Sequence, residues 1–216
     1  MDFGLELEAM NSKMRKIIIA SNNSHKILEI KEILKELPVE VKSLRDEEIG
    51  IEIEEDGKTF KENANKKARG IATFLKERGD EEYIVLADDS GLQVDYLNGE
   101  PGIYSARYAG EHGNDKKNNA KLLKKLDNVP DEKRGASFVC EIALVDSKGN
   151  YYSIRGDVRG LITKEMEREE SFGYDPIFYY PPLKKNFSQL SMEEKNEVSH
   201  RGKALKQLKD IILNII

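Results

Sequence analysis

One cysteine, Cys140, stands in the 216 residues. A lone thiol excludes an intrachain disulfide and fits a reducing compartment. It lies inside the apolar run Phe138-Val139-Cys140-Glu141-Ile142-Ala143-Leu144, so it reads as a small core residue, with a nucleophile as the alternative. No apolar run in the chain approaches the roughly 20 residues that a membrane-spanning helix needs. Positive charge is not in excess either. The net charge of −5 argues against a nucleic-acid module or any general polyanion binder. An anionic ligand must then meet a local cluster of cations and amides. Repeats, low-complexity segments and Pro/Gly-rich linkers are absent, so residues 15–216 read as a single domain. Residues 1–14 lack the basic start and long apolar stretch of a signal peptide. They read as a flexible extension with no assigned function.

What is present is charge and periodicity. Charged residues make up 35% of the chain and hydrophobic residues 38%, the balance of a soluble globular protein. Arg15–Ala20 reads as a short buried strand around Ile17-Ile18-Ile19. Ile27, Leu28, Ile30, Ile33, Leu34 and Leu37 follow at helical spacing, and Pro38 stops that helix. Val39-Glu40-Val41 alternates as a second strand, and Ile51 and Ile53 predict a further short extended piece. Thr59 and Glu62 form a capping-box pattern before a helix that buries Phe60, Ala64, Ala68, Ile71 and Leu75. Tyr83–Ala87 is apolar on both faces, as in a sheet interior. Asp88-Asp89-Ser90-Gly91 is expected to break this strand before Leu92-Gln93-Val94 resumes it. A third helix holds Leu122, Leu123 and Leu126, and Ala136–Asp146 with Tyr151–Arg159 makes a hairpin. A last helix carries Ala204, Leu205, Leu208, Ile211 and Ile212. This order predicts an α/β fold, a mixed β-sheet flanked by helices, with a cleft between two lobes.

Several segments carry candidate chemistry. Ser21-Asn22-Asn23-Ser24-His25-Lys26 lies where a strand feeds a helix. Unpaired amides at a helix N-terminus attract phosphate; the Asn and Ser side chains add donors and Lys26 a full charge. GxxxxGK[ST] is absent, so this is not a Walker loop. Taken alone, an ordinary capped turn is the simpler reading. Asp88 and Asp89 end an apolar strand, where carboxylates are costly unless compensated. Hard oxygen ligands suit Mg²⁺, and Glu54 and Glu55 are candidates to complete the acidic cluster. A second carboxylate nearby raises the pKa of an Asp, and a bound metal eases deprotonation of water. A polar turn is the plain alternative.

Phe172-Gly173-Tyr174-Asp175-Pro176 offers ring faces to a flat heterocycle. Pro176 pushes Asp175 toward extended geometry and so directs its carboxylate. The alternative is that both rings are core. Ser199 fits the N-cap of the last helix, which puts His200 and Arg201 in its first turn with donors for purine oxo groups. Lys195, on the short helix before, can meet phosphate or base. A surface position is the alternative for His200.

These segments occur in one order. Ser21–Lys26, Glu54–Ala64, Ala87–Leu92, Pro101–Arg107, Phe172–Pro176 and Ser199–Arg201 resemble, in register, the motifs of the Ham1/RdgB family of inosine/xanthosine triphosphate pyrophosphatases. The resemblance spans residues 16–213. It implies an elongated α/β fold, a cytoplasmic homodimer and Mg²⁺-dependent hydrolysis of ITP, dITP and XTP to the monophosphate and pyrophosphate, which removes deaminated purines from the nucleotide pool. By this resemblance Ser21, Asn22, Asn23, Ser24, His25 and Lys26 cradle the triphosphate. Asp89 is the proton acceptor and a metal ligand. Glu55 helps hold the metal, with Glu54 and Asp88 as further candidates. Ser90 touches the substrate beside Asp89. Phe172, Gly173, Tyr174, Asp175, Lys195, His200 and Arg201 bind the nucleotide, and Arg107 approaches phosphate.

Two places depart from the pattern. Ser21-Asn22-Asn23 stands where the family often has Thr-Gly-Asn, so close backbone approach to phosphate is less free, although Asn adopts positive φ. Glu169-Glu170-Ser171 stands where a glycine-rich run is common. A Maf-like pyrophosphatase of modified pyrimidines or methylated bases shares the N-terminal strand, loop and helix but not the motifs at Phe172–Pro176 and Ser199–Arg201. A sensor that binds a nucleotide without cutting it is the non-enzymatic alternative, and the acidic cluster speaks against it.

Overall fold

Buried β-branched runs set the centre of the sheet. Ile17, Ile18 and Ile19 are buried, as are Ile84, Val85 and Leu86, and segments buried on both faces suit parallel pairing. In the computed structural model, which describes residues 15–168 and 170–216, they lie in β1 (Arg15–Ile19) and β3 (Tyr83–Val94), paired in parallel. The expected extension over 1–14, and Glu169, lie outside the described residues. β1 also pairs in parallel with β2 (Val39–Ser43). β4 (Gly135–Asp146), β5 (Tyr151–Ile162), β6 (Phe178–Tyr180) and β7 (Lys185–Asn186) continue from β3 in antiparallel fashion. The seven strands lie in the order β2-β1-β3-β4-β5-β6-β7.

Helices α1 (Ser24–Leu34) and α5 (His200–Ile215) cover one face of the sheet, joining Ile30 and Leu34 to Ile17, Ile19, Leu86, Leu205 and Leu208 in one core. Helix α2 (Phe60–Arg78) covers the other face, packing Ala64, Ala68 and Ile71 on Ile18, Val85 and Ala87. A third core gathers Leu92, Phe138, Phe178 and Phe187 with Leu122 and Leu126 around helix α3 (Asp115–Lys125). The long strands β3, β4 and β5 run from the first two cores into the third, and the expected cleft opens where they change over. A short helix, α4 (Met192–Val198), precedes α5. Local caps start the helices: Asn23 accepts from the Lys26 amide, Thr59 from that of Glu62 and Ser199 from that of Gly202.

Three local expectations are corrected. β3 is not broken at Asp88-Asp89-Ser90-Gly91: it pairs with β4 without interruption from Ile84↔Asp146 to Val94↔Ala136. The ladder satisfies its backbone, and the buried charges find partners on other elements. Ile51 and Ile53 form no strand. They pack as coil on the α2 face, and Ile53 Cδ1 lies 2.5 Å from where a Cβ on Gly70 would stand. At α2 the Glu62 carboxylate accepts from the Lys58 amide at 2.6 Å, one residue before the expected Thr59.

Candidate active site

The β1–α1 turn, the middle of β3, the turn at 102–107, the loop at 172–175, Lys195 of α4 and the start of α5 border one cleft of about 870 Å³, within the usual range of about 300–1,000 Å³ for small-molecule sites. Every residue expected from sequence borders it except Glu54 and Asp88. Glu54 is exposed and lies off the cleft, so it is not placed to hold a metal there.

Asp88 and Asp89 are neighbours on β3 and therefore point to opposite faces of the sheet. Asp88 is fully buried. Lys26 Nζ forms an ion pair with its Oδ1. Its Oδ2 accepts from Arg201 Nε at 3.1 Å, Ser90 Oγ at 2.7 Å and Cys140 Sγ at 3.0 Å. Burial alone would raise the pKa, but Arg201 and then Lys26 outweigh it and hold the carboxyl well below the usual carboxylate range. Asp88 is a wired counter-ion, which corrects its candidacy as a metal ligand. Burial and the neighbouring Asp88 push the Cys140 thiol well above its ordinary value. That suits a core residue and not a nucleophile.

Asp89 faces α2. Its Oδ2 accepts from Asn63 Nδ2 at 3.0 Å. Burial raises its pKa, Lys67 and Lys26 oppose the rise, and Glu55 adds to it. Lys67 Nζ ties this wall together, donating to Glu55 Oε2 at 3.1 Å and to the Asp88 carbonyl at 2.8 Å. Among the described residues no group of three or more His, Cys, Asp or Glu is arranged to hold a metal ion. The oxygen donors of Asp89 and Glu55 nevertheless fit Mg²⁺, which takes one or two carboxylates and completes its shell with water and substrate phosphate.

Across the cleft, Ser21 Oγ accepts from the Asn23 amide at 3.1 Å and Asn23 Oδ1 from the Lys26 amide at 3.1 Å. These bonds shape the start of α1. The Phe172 ring stacks on His25, with centroids 4.9 Å apart and planes 25° apart. Lys195 Nζ stands 5.7 Å from the same ring. It donates to Asp175 Oδ2 at 2.6 Å and Glu29 Oε1 at 2.9 Å. Burial raises the pKa of Asp175, and Lys195 opposes the rise. His200 is buried, its ring stacked on Phe138 at 4.8 Å. Burial first, and Arg201 next, push its pKa well below the ordinary value, so the ring is neutral. Its Nδ1 meets no protein partner. Arg107 lies over the Tyr104 ring at 5.4 Å, on the cleft border.

Two residues expected at the base are also tied into the scaffold. Arg201 is buried, with Nε on Asp88, Nη1 on Glu29 and Nη2 on Ser90. These contacts engage its Nε–H and one N–H on each terminal nitrogen, so it braces the cleft floor that it borders. The Tyr174 ring joins the third core and its hydroxyl donates to the Ser105 carbonyl at 2.9 Å.

The model of the Ham1 family matches residues 17–211. This chain belongs to the Ham1 family. It is 54% identical over 203 residues to the dITP/XTP pyrophosphatase of Clostridium perfringens (strain 13 / Type A), covering 94% of this chain and all of that protein. Among solved structures, the Ham1 protein of Staphylococcus aureus is 42% identical with a TM-score of 0.80, over 94% of this chain and all of that one. A Ham1 protein from Coxiella burnetii is 38% identical with a TM-score of 0.79, over 93% of this chain and all of that one.

In this Ham1 chain the sequence reading passed over Glu29, Asn63 and Lys67. Glu29 links Lys195 to Arg201 and completes an alternating buried series: Asp175, Lys195, Glu29, Arg201, Asp88, Lys26. Burial would raise the Glu29 pKa, but Arg201 and Lys195 together lower it to about 2. The signal was available: Glu29 sits on the stripe of α1 that buries Ile30, Ile33 and Leu34, where an unpaired charge is not tolerated.

Proposed function

We propose that this chain is a hydrolase of deaminated purine nucleoside triphosphates, converting ITP, dITP and XTP to the monophosphate and pyrophosphate. The observation that carries the proposal is the shared cleft: Asp89 and Glu55, Lys26 and the α1 amides, and Phe172, Lys195 and His200 all border it. The names of the relatives support the same substrate class.

Asp89 accepts a proton from a water whose oxygen attacks the α-phosphorus. The new P–O bond forms as the bond from the α-phosphorus to the bridging oxygen breaks, and the leaving group is pyrophosphate. Burial raises the pKa of Asp89, which makes it a better base than an ordinary Asp. The donation from Asn63 fixes one carboxylate oxygen and leaves the other for the water. Lys26 and the free amides of α1 offset the charge on the leaving oxygens. Asp89 and Glu55 would hold Mg²⁺, which when bound neutralises phosphate charge and acidifies water.

At the other end Phe172 covers the base. Lys195 donates, and the neutral His200 ring, which borders the cleft, keeps one N–H to donate. A 6-oxo purine accepts from such donors, whereas a 6-amino group places donor against donor. Mispairing of this kind costs about 10⁴–10⁵ in kcat/KM. The 2-amino group of guanine has to be excluded separately. A cytoplasmic setting and homodimeric assembly are part of the same proposal, the first supported by the lone buried thiol.

The test is pyrophosphate release from ITP, dITP, XTP, GTP and ATP, with Mg²⁺ and with EDTA. Turnover of the deaminated purines alone, abolished by EDTA and restored by Mg²⁺, is expected. Equal turnover of ATP overturns the selectivity, and full activity in EDTA overturns the metal requirement.

A further inference from the structure

We infer that Asp115 and Asn119 of α3 are positioning residues for base discrimination, acting through the single residue Gly173; the inference rests on the hydrolase reading above. Gly173 follows Phe172 and adopts φ +61°. Glycine has the widest backbone freedom of any residue, so on its own it does not fix where the Phe172 ring points. Two side chains of α3 do. Asp115 Oδ2 accepts the Gly173 N–H at 2.7 Å, and Asn119 Nδ2 donates to the Gly173 carbonyl at 2.7 Å. The peptide groups on both sides of that Cα are therefore held from one helix. Asn119 Nδ2 also donates to the Asp115 carbonyl at 2.8 Å, which orients its amide.

The neighbouring Asn118 reaches the other wall. Its Oδ1 accepts the Ala109 N–H at 2.8 Å and its Nδ2 donates to the Ala106 carbonyl at 3.3 Å, bracketing Arg107. The Tyr174 hydroxyl, on the Ser105 carbonyl, joins the two held loops.

Asn118 and Asn119 are buried on the same side of α3 as Leu122. A stabilising core face would carry apolar residues there. Asn119 moreover keeps a buried Oδ1 with no partner, a cost that stability alone does not explain. What the amide holds explains it. Phe172 borders the cleft against His25 and Lys195, and its position decides whether a base lies flat within reach of Lys195 and His200. Lys26, Asp89 and Glu55, at the phosphate end, have no bond to Asp115 or Asn119 among their described hydrogen bonds and ion pairs. Releasing the clamp therefore loosens the base and spares the pyrophosphate end.

The experiment uses the full chain. It compares kcat and KM for ITP and ATP, the Ki of pyrophosphate, and the melting temperature in wild type, Asn119→Leu, Asp115→Ala and Asp115→Asn. Asn119→Leu and Asp115→Ala are expected to raise KM for ITP by about tenfold, as for one lost bond to a buried group. They are expected to lower the ITP-to-ATP ratio of kcat/KM by about tenfold as well, with kcat within about threefold and the pyrophosphate Ki unchanged. Asp115→Asn keeps an oxygen that can accept the Gly173 N–H and is expected to retain the wild-type ratio. A retained ratio in Asn119→Leu and Asp115→Ala, with only a lower melting temperature, overturns the inference. So does a pyrophosphate Ki that rises in step with KM. Should Asn119→Leu not fold, the Asp115 pair decides. A wild type that does not separate ITP from ATP defeats the selectivity of the proposed function instead, and the clamp is then judged on KM for ITP against the pyrophosphate Ki.

Discussion

Glu29→Gln removes one negative charge from the middle of the buried ionic series and leaves the side chain's size almost unchanged. Lys195 and Arg201 then lose the counter-ion they share. The cost follows by two routes. The Glu29 carboxyl is held at about 2 against an ordinary 4.5, and that difference of about 2.5 corresponds to about 3 kcal/mol. Removing one partner of a buried ion pair independently costs about 3–5 kcal/mol. For a chain of this length each kcal/mol moves the melting temperature by about 2–4 °C, so a fall of about 6–12 °C is expected. The folded-state pKa is depressed, so the contribution is complete above pH 4.5 and is lost as the pH falls toward 2. Urea midpoints of wild type and variant at pH 7 and then stepwise down to pH 3 read both effects. The gap should be full at pH 7 and narrow through the acid window. A gap below about 0.5 kcal/mol at pH 7, or one that stays constant down to pH 3, refutes the reasoning.

Asp89→Asn should lower kcat by at least about 10²-fold while the melting temperature holds or rises, since burial disfavours the charged form. Pyrophosphate release and thermal melts measure the two, and an active variant removes Asp89 as the base. His200 is buried neutral, so the unfolded chain takes up a proton below pH 6.5 that the folded chain refuses, and stability falls there by about 1.4 kcal/mol per pH unit. Denaturant midpoints at pH 7.5 and 5.5 should therefore converge less in wild type than in His200→Gln, and identical pH slopes would contradict this. Gly91→Ala puts a methyl 2.6 Å from the Gly102 carbonyl and 2.9 Å from Phe60 Cε1. That should cost about 1–3 kcal/mol, and a wild-type melting temperature would show that the turn at 102–107 yields freely.

The elements set by local rules were legible in the sequence. β1, α1, α2, the β4–β5 hairpin and α5 follow from periodicity and from caps such as Asn23, Thr59 and Ser199. β3 was misread because two adjacent carboxylates look like a solvated turn. Their compensation comes from Lys26 on α1 and from Arg201, 113 residues further along, which no local window contains. The convergence of the motifs on one cleft was implied by their resemblance, in register, to those of the Ham1/RdgB family. The division of labour among them was not. Whether Asp88 or Arg201 faces ligand or scaffold depends on strand alternation and on partners elsewhere in the chain. Asn118 and Asn119 did leave a trace: polar residues three and four positions before Leu122, on its face of α3. The periodicity reading counted only the leucines.

Side chains of a β-strand alternate strictly, and this chain places a structural anion and its proposed base at consecutive positions of β3. A one-residue deletion or insertion between Tyr83 and Ala87 would leave every residue of the cleft present and yet send the other aspartate to the nucleotide. The chemistry is thus encoded in the phase of the ladder as much as in the identity of the acid. Loss of activity in this protein does not require loss of a single functional group.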